Sequence, residues 1–475
     1  MLRPLLLAAA ALALAGCAVG PDFKAPAAPL TGAYATPAPA TAAEAAPADL
    51  AAWWRGFGDP QLTRVVERAA GQNLDMAQAA ARVIQSRAAL KAAGAALLPQ
   101  VGLQASAAIG EQSLLSPIGE IGGHLPGFQR SYDDDAAGAV ASWELDLFGG
   151  QRRAREAAAA DDASARAELA AVRTSVEAEA ADAYLQARGY QARLAVAHAQ
   201  EGVDADLLRL VQERFSQGVA AERETHQAQA ELEGVRAAIP PLVAGLDAEL
   251  NRLDILMGAQ PGAYRAEFAA EAPLPRAPAL VSDQRPGDLL RRRPDLLAAE
   301  QRLIATNARI GVAVSDYYPK ISLSGLLGAD SLVGSQLFTG AARTDQLAAG
   351  LRWRLFDFGR VDAEVAAAKG HDAEALAAWR AAALRAAGEV ETSFSDLAQD
   401  RLRAEALGRE VAQLRTARGQ AQKAYEGGVA NLLEVRDADR DLLTASDQLV
   451  QTELAADRAA VASFRALGGG WSGGR

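Results

Sequence analysis

Four histidines and one cysteine are the side chains of this 475-residue chain best suited to acid–base, nucleophilic or metal chemistry. The histidines are His124, His198, His226 and His371, and the cysteine is Cys17. No two histidines stand four residues apart, as a helical zinc-binding pair does, and none has a cysteine beside it. No phosphate-binding loop occurs either, and the one Gly-x-Ser-x-Gly match, Gly470-Trp471-Ser472-Gly473-Gly474, follows a helical pattern rather than a strand and so makes no nucleophile elbow. Each histidine is therefore expected to be solvated or on a helix surface, and an enzyme, a bound metal and a diffusible cofactor are not expected. Net charge is −11 and the sequence pI is about 5.1, which argues against a nucleic-acid partner, since that would call for a basic face.

Cys17 has another chemistry open to it. Arg3 supplies a positive start, and Leu5 to Ala15 is an apolar run of about 11 residues, the length of a signal peptide and too short to span a bilayer as a helix. The run ends Leu14-Ala15-Gly16-Cys17, which resembles the lipobox of bacterial lipoproteins. On that reading residues 1–16 are removed, Cys17 becomes the N-terminus, and its only prosthetic group is covalent lipid. A lone cysteine has no partner for an internal disulfide. Residues 17–60 then form a lipid-anchored N-terminal segment, kept extended by Pro21, Pro26, Pro29, Pro37, Pro39 and Pro47.

Two further groups stand out by spacing. Leu433, Asp437 and Arg440 are four and three residues apart, so on a helix they share one face, with Glu434 beside it. Gly218-Val219 and Gly428-Val429 each follow a long helical pattern, where a glycine commonly stops a helix in the left-handed conformation.

The elements that carry these groups come from an internal duplication. Leu97-Leu98-Pro99-Gln100-Val101-Gly102-Leu103 corresponds to Tyr317-Tyr318-Pro319-Lys320-Ile321-Ser322-Leu323. Trp143-Glu144-Leu145-Asp146-Leu147-Phe148-Gly149 corresponds to Trp353-Arg354-Leu355-Phe356-Asp357-Phe358-Gly359, and Arg214 to Val219 corresponds to Ala424 to Val429. Each half reads as a helix (Leu62–Leu97, Asp288–Asp316), two strands, and an unusually long helix. The strands are expected at Gln100–Ile109, Ala137–Leu147, Lys320–Leu327 and Gln346–Leu355, where Ala139, Ala141, Trp143, Leu145, Leu147 and Leu347, Ala349, Leu351, Trp353, Leu355 alternate. The first long helix, Gln151 to Phe215, would reach about 98 Å at 1.5 Å per residue. Alanine dominates the 50% hydrophobic content, with only 5% aromatic residues, a composition suited to closely packed helices.

No later run of about 18 apolar residues occurs, so any membrane crossing falls to strands. Four strands do not close a barrel, because closed barrels start at about eight. An open edge in lipid leaves backbone groups unpaired, so the chain must pool its strands with identical copies.

Over nearly its whole length the sequence resembles the TolC/OprM (NodT) family of outer-membrane efflux proteins. The resemblance is carried by Cys17-Ala18-Val19-Gly20-Pro21-Asp22-Phe23, by Trp53-Trp54 with Phe57-Gly58-Asp59-Pro60-Gln61-Leu62, and by Arg292-Arg293-Pro294-Asp295-Leu296 through Ala299-Glu300 to Tyr317-Tyr318-Pro319. It implies a mainly α protein with a membrane β-barrel. In such a homotrimer four strands per chain form a twelve-stranded barrel in outer-membrane lipid, continued by a long periplasmic helical barrel. It implies a passive exit duct working with a periplasmic adaptor and an inner-membrane pump of the resistance-nodulation-division type. The tips Gly218, Val219, Gly428 and Val429 would meet the adaptor. Leu433, Glu434, Asp437 and Arg440 would form the periplasmic gate, with Glu434 standing where the family often has a second Asp. In the first half Glu224 corresponds to Glu434, but Gln227 to Asp437.

The expected organisation is a signal peptide (1–16), the anchored segment (17–60), a first repeat (61–260), a linker (261–285), a second repeat (286–467) and a flexible C-terminal tail (468–475). Two other functions fit parts of the sequence, namely a protein-secretion duct of the same architecture and a purely structural envelope lipoprotein. The lipobox and the second-half signature favour small-molecule efflux.

Overall fold

The computed structural model describes residues 18–30, 32–36, 49–270, 272–278, 280 and 285–472. Cys17 and the expected signal peptide lie outside them. After a 3-10 segment, Leu50–Phe57, come α1 (Pro60–Gln72), α2 (Leu74–Ala95), β1 (Gln100–Glu111), the short α3 (Pro117–Gly122) and β2 (Ser131–Leu145). Then follow α4 (Gly150–Ser216), α5 (Glu222–Leu256), α6 (Pro294–Ser315), β3 (Lys320–Ser331), β4 (Arg343–Arg352), α7 (Arg360–Glu426) and α8 (Leu432–Ala466). The duplication is visible in the lengths. Both α4 and α7 have 67 residues, α5 and α8 have 35, α2 and α6 have 22, and β1 and β3 have 12.

Three boundaries differ from the sequence expectation. The single helix expected from Leu62 to Leu97 is two, because Asn73 turns extended and its Oδ1 accepts from Asp75 N (2.8 Å) and Met76 N (3.2 Å). The helix expected from Asp288 is interrupted at Arg293, since the residue before a proline is driven out of the helical region. The strands are displaced toward their connecting loops. β1 and β3 run on to Glu111 and Ser331, while β2 and β4 begin early, at Ser131 and Arg343, and end at Leu145 and Arg352, short of the expected Leu147 and Leu355; Asp133 and Asp135 pair with Ile109 and Ala107.

The described residues fall into two compact units. One combines Ile84–Ser164 and Glu300–Ala378 with the described part of Met1–Pro26. Its centre is an antiparallel sheet in the order β1-β2-β3-β4, in which β2–β3 pairing joins the two halves and β1 and β4 are left as edges. Directly opposed residues share a face. Val101, Leu103, Ala139, Ala141, Trp143, Leu323, Leu347 and Leu351 fall on one face, and Gln104, Ser106, Ser142, Gly138, Ser322, Ser324, Gln346 and Gly350 on the other. The apolar face is uncovered, with Leu103 88% and Leu347 85% exposed. Equivalent tryptophans fix the lower ends of the hairpins, Trp143 Nε1 donating to Leu97 O (3.0 Å) and Trp353 Nε1 to Tyr317 O (2.9 Å). The N-terminal segment is pinned to this unit as well. Val19 N donates to Phe148 O, and buried Arg153 donates to Val19 O and to Asp22 at 2.7 Å.

The other unit, Ala27–Val83, Ala165–Ala299 and Trp379–Arg475, is helical. Its core sets Trp53 flat against Phe464 (5.4 Å between ring centroids) among Trp54, Phe57, Tyr184, Phe394 and Leu253. Asp59 caps α1 through Gln61 N and Leu62 N and accepts from Tyr184 Oη at 2.6 Å, while Pro60 sits where a helix needs no N–H. Arg293 pairs with Asp295 (2.8 Å) and Glu389 (2.7 Å) and donates to Ala466 O. The residues expected as the start of a loose tail are partly core. Gly468, Gly469 and Gly470 are buried, Gly470 N donates to Leu50 O (2.8 Å), and Trp471 Nε1 donates to Arg292 O (3.0 Å). Gly470 has φ +95°, a conformation that L side chains rarely adopt, and a Cβ there would lie 2.2 Å from the buried Glu177 Oε2, so the position favours glycine.

Candidate functional site: the helix turns and the acidic stretch beyond them

The helical unit brings together the two turns and the polar face expected to do the work. Both turns have one geometry. Gly218 (φ +73°) and Gly428 (φ +74°) end α4 and α7 in the left-handed region. Gly218 N donates to Phe215 O and Val219 N to Arg214 O, and Gly428 N and Val429 N donate likewise to Tyr425 O and Ala424 O. These are the paired bonds of a Schellman motif. Val219 and Val429 stand out from the turns, 64% and 86% exposed. Behind them an apolar cluster of Leu207, Leu208, Val211, Ala228, Leu232, Tyr425, Leu432 and Val435 draws on α4, α5, α7 and α8.

The residues expected at the gate lie on the first turns of α8. Leu433 is 57% exposed, and Arg440 lies 3.5 Å from Asp437 and 3.4 Å from Asp441, all three charged groups about half exposed. Glu434 has a role that its sequence position concealed. Asn431 Oδ1 accepts from Glu434 N (3.1 Å), and Glu434 Oε1 accepts in return from Asn431 N (3.5 Å). This is a capping box, so in one chain that carboxylate is turned toward the start of its own helix rather than along the Leu433–Asp437–Arg440 face.

A buried polar layer beside the cluster was missed. Asp204 of α4 and Asp439 of α8 are almost wholly buried, and one carboxylate oxygen of each has no partner. Gln200 donates to the other oxygen of Asp204 (2.8 Å), and Arg418 of α7 donates to Asp439 (2.7 Å). Burial, reinforced by the charges of Asp439 and Glu231, pushes the Asp204 carboxyl up to about 6; burial also raises Asp439. Four polar contacts among the described residues tie the first helical hairpin, α4–α5, to the second, α7–α8. They are Arg436 with Glu231 (2.6 Å), Arg193 with Asp447 (2.6 Å), Arg458 with Asp182 (2.6 Å), and Arg214, whose guanidinium donates to Tyr425 O and lies 4.6 Å from the Tyr425 ring centroid. A signal existed: Leu432, Val435 and Asp439 step by three and four, which puts an acid on the buried stripe.

The histidines carry no constellation. His198, His226 and His371 each lie near a glutamate one helical turn away on an exposed face. Among the described residues no group of three His, Cys, Asp or Glu is placed to hold a metal, and no helix is long and apolar enough to cross a membrane.

The sequence profile of the outer membrane efflux protein family matches residues 65–259 and 286–469, one stretch in each half. The chain is 32% identical over 421 residues to the pyoverdine export outer membrane protein OpmQ of Pseudomonas putida, covering 88% of each. It is 30% identical to the outer membrane protein OprJ of Pseudomonas aeruginosa, covering 98% of this chain and 95% of OprJ. Among solved structures, the outer-membrane channel OprN superposes with a TM-score of 0.87 at 34% identity, over 96% of this chain and all of that one.

Proposed function

Because the chain belongs to the outer membrane efflux protein family, we propose that it is the outer-membrane exit duct of a tripartite efflux pump, open to passive flow and closed at its periplasmic end. One observation carries the reading. The sheet has an uncovered apolar face, a face of small and polar residues, and two free edges. An apolar face suits lipid, and the opposite face suits a water-filled lumen. The edges, β1 and β4, would be satisfied by the β4 and β1 of neighbouring copies. Three chains close a barrel of twelve strands, which has no edge left to expose.

In this reading Cys17 carries lipid and fastens the N-terminal segment, while the barrel itself holds the protein in the outer membrane. Acyl chains in several copies reinforce one another. The turns at Gly218-Val219 and Gly428-Val429 offer six similar docking points per trimer to a periplasmic adaptor, which links the duct to an inner-membrane pump of the resistance-nodulation-division type. Leu433, Asp437 and Arg440 narrow the duct just beyond the second turn, and three copies of Asp437 make an acidic ring that favours cations. Glu434 adds its charge there while capping α8. Opening moves the second hairpin away from the first, which requires the contacts of Arg436, Arg193, Arg458 and Arg214 to break.

Reconstitution tests the whole. The purified protein should have the mass of a trimer in detergent and should conduct ions in a planar bilayer. A strain lacking it should lose export of the compounds its pump handles. A stable monomer in lipid, or a trimer that conducts nothing under any gate substitution, would refute the duct.

A further inference from the structure

The two loops at the far end of the sheet are built, not loose, and they present apolar side chains to no partner. The loop between β1 and β2, residues 112–130, is held by its own bonds. Gln112 N donates to Arg130 O (2.7 Å), Arg130 Nε donates to Gln112 O (3.1 Å), and Ser116 caps α3 through Gly119 N. Phe128 packs so closely on Gly122 that a Cβ there would lie 2.4 Å from its ring. Yet Leu115 is 96% exposed, and Ile118, Ile121 and Leu125 are at least three-fifths exposed. The loop between β3 and β4, residues 332–342, carries Phe338, 89% exposed. An apolar patch on an ordered loop marks a contact surface.

Strand order says what meets it. The first loop rises over β1 and β2, the second over β3 and β4. In a closed barrel β4 lies beside the next copy's β1. The second loop is then two strand spacings, about 10 Å, from the first loop of its own chain and from that of the neighbouring copy. On its own side the space between the loops is a cleft of about 690 Å³ lined by Phe128, Tyr132, Leu332 and Val333, and Gly334 there approaches Asp135 of β2. Leu115, Ile118 and Phe338 do not line that cleft. Phe338 comes later in its loop, toward the free β4 edge, and Leu115 follows directly on the free β1 edge.

We propose that these residues form a clasp between copies, in which Phe338 of one chain packs on the Leu115–Ile118–Ile121 surface of the next chain's first loop. The occupant is a second copy of this chain, because the patch continues the two edges that pair when the barrel closes. The proposal rests on the trimeric reading above. Its consequence is that the barrel is sealed between chains by side chains beyond the strands as well as by backbone bonds within them.

The test is a cysteine pair in the full chain, carrying Ile118→Cys and Phe338→Cys together, oxidised in native membranes. The natural chain, whose only cysteine is Cys17, is the blank, and each single variant is a control. The clasp predicts that most chains of the double variant run as covalent dimers and trimers on a denaturing gel, while the blank and the single variants stay monomeric. The mass of the detergent-solubilised protein separates the failures. A trimer without cross-links overturns the clasp alone, and quenching by brominated lipid of a fluorophore attached to the Ile118→Cys variant would then assign the patch to the membrane. A monomer overturns the clasp and the trimer together. A second variant, Phe338→Asp, should lower the temperature at which the trimer dissociates, and an unchanged temperature would count against the clasp even if the loops touch.

Discussion

Replacing Asp204 by Asn should stabilise the helical unit in neutral and alkaline solution and do almost nothing in acid. Asp204 is 1% exposed, with one oxygen bonded by Gln200 and the other without a partner. The charged groups facing it are Asp439 on α8, Glu231 on α5 and Arg418 on α7. Burial and the two acids push its carboxyl from the ordinary 3.8 up to about 6. Between those values the native chain holds a proton that the unfolded chain has released, so stability falls as pH rises through this window. Above it the full penalty is present. Just over two pH units at about 1.4 kcal/mol each amount to about 3 kcal/mol. Asparagine resembles the protonated acid and keeps the Gln200 bond, so it escapes the penalty. The assay is chemical unfolding of the native and Asp204→Asn proteins in detergent, at one protein concentration, at about pH 8 and, below both pKa values, at about pH 3. The variant's advantage should approach about 3 kcal/mol at the higher pH and vanish at the lower. An advantage equal at both pH values, or a variant less stable at the higher one, would refute the assignment of a strained ionised carboxylate to this layer.

Trp53→Ala should cost about 3–5 kcal/mol, since it empties the position stacked on Phe464, and loss of helical circular dichroism on heating would report it. Gly428→Val and Gly218→Val place a branched side chain at φ near +74°, a conformation that costs about 1–2 kcal/mol for an L-residue, in open space where nothing else is disturbed. Export should fall with trimer level unchanged, and normal export in both variants would remove the tips from adaptor docking. Asp437→Ala and Arg440→Ala should each change single-channel conductance, the first also weakening cation preference; currents identical to the natural protein in both would place the gate elsewhere.

The sequence makes the repeat legible because a duplicated fold repeats its punctuation. Gly218 and Gly428 end the long helices in the left-handed conformation, Pro99 and Pro319 fix φ just before a strand, and Trp143 and Trp353 each bond to the carbonyl two residues before that proline, so each pair falls at the same point of its half. What stays hidden is the residue that serves two roles. Asn73 reads as a surface position of one long helix, yet it ends α1 and caps α2, because its amide bonds to both Asp75 N and Leu256 O. Glu434 reads as a gate acid and is also half of a capping box. The glycines at 468–470 have the composition of a loose tail. Whether glycine means freedom or close approach depends on what stands opposite, and Glu177 and Trp53 stand opposite these. Asp439 differs, because its place on the Leu432–Val435 stripe made it readable as a buried acid. The uncovered sheet face completes the point. Alternation shows that one side of each strand is apolar, but among the described residues of one chain nothing covers that side, and its meaning comes from the two free edges, which leave closure with further copies as the way to satisfy both the backbone and the face.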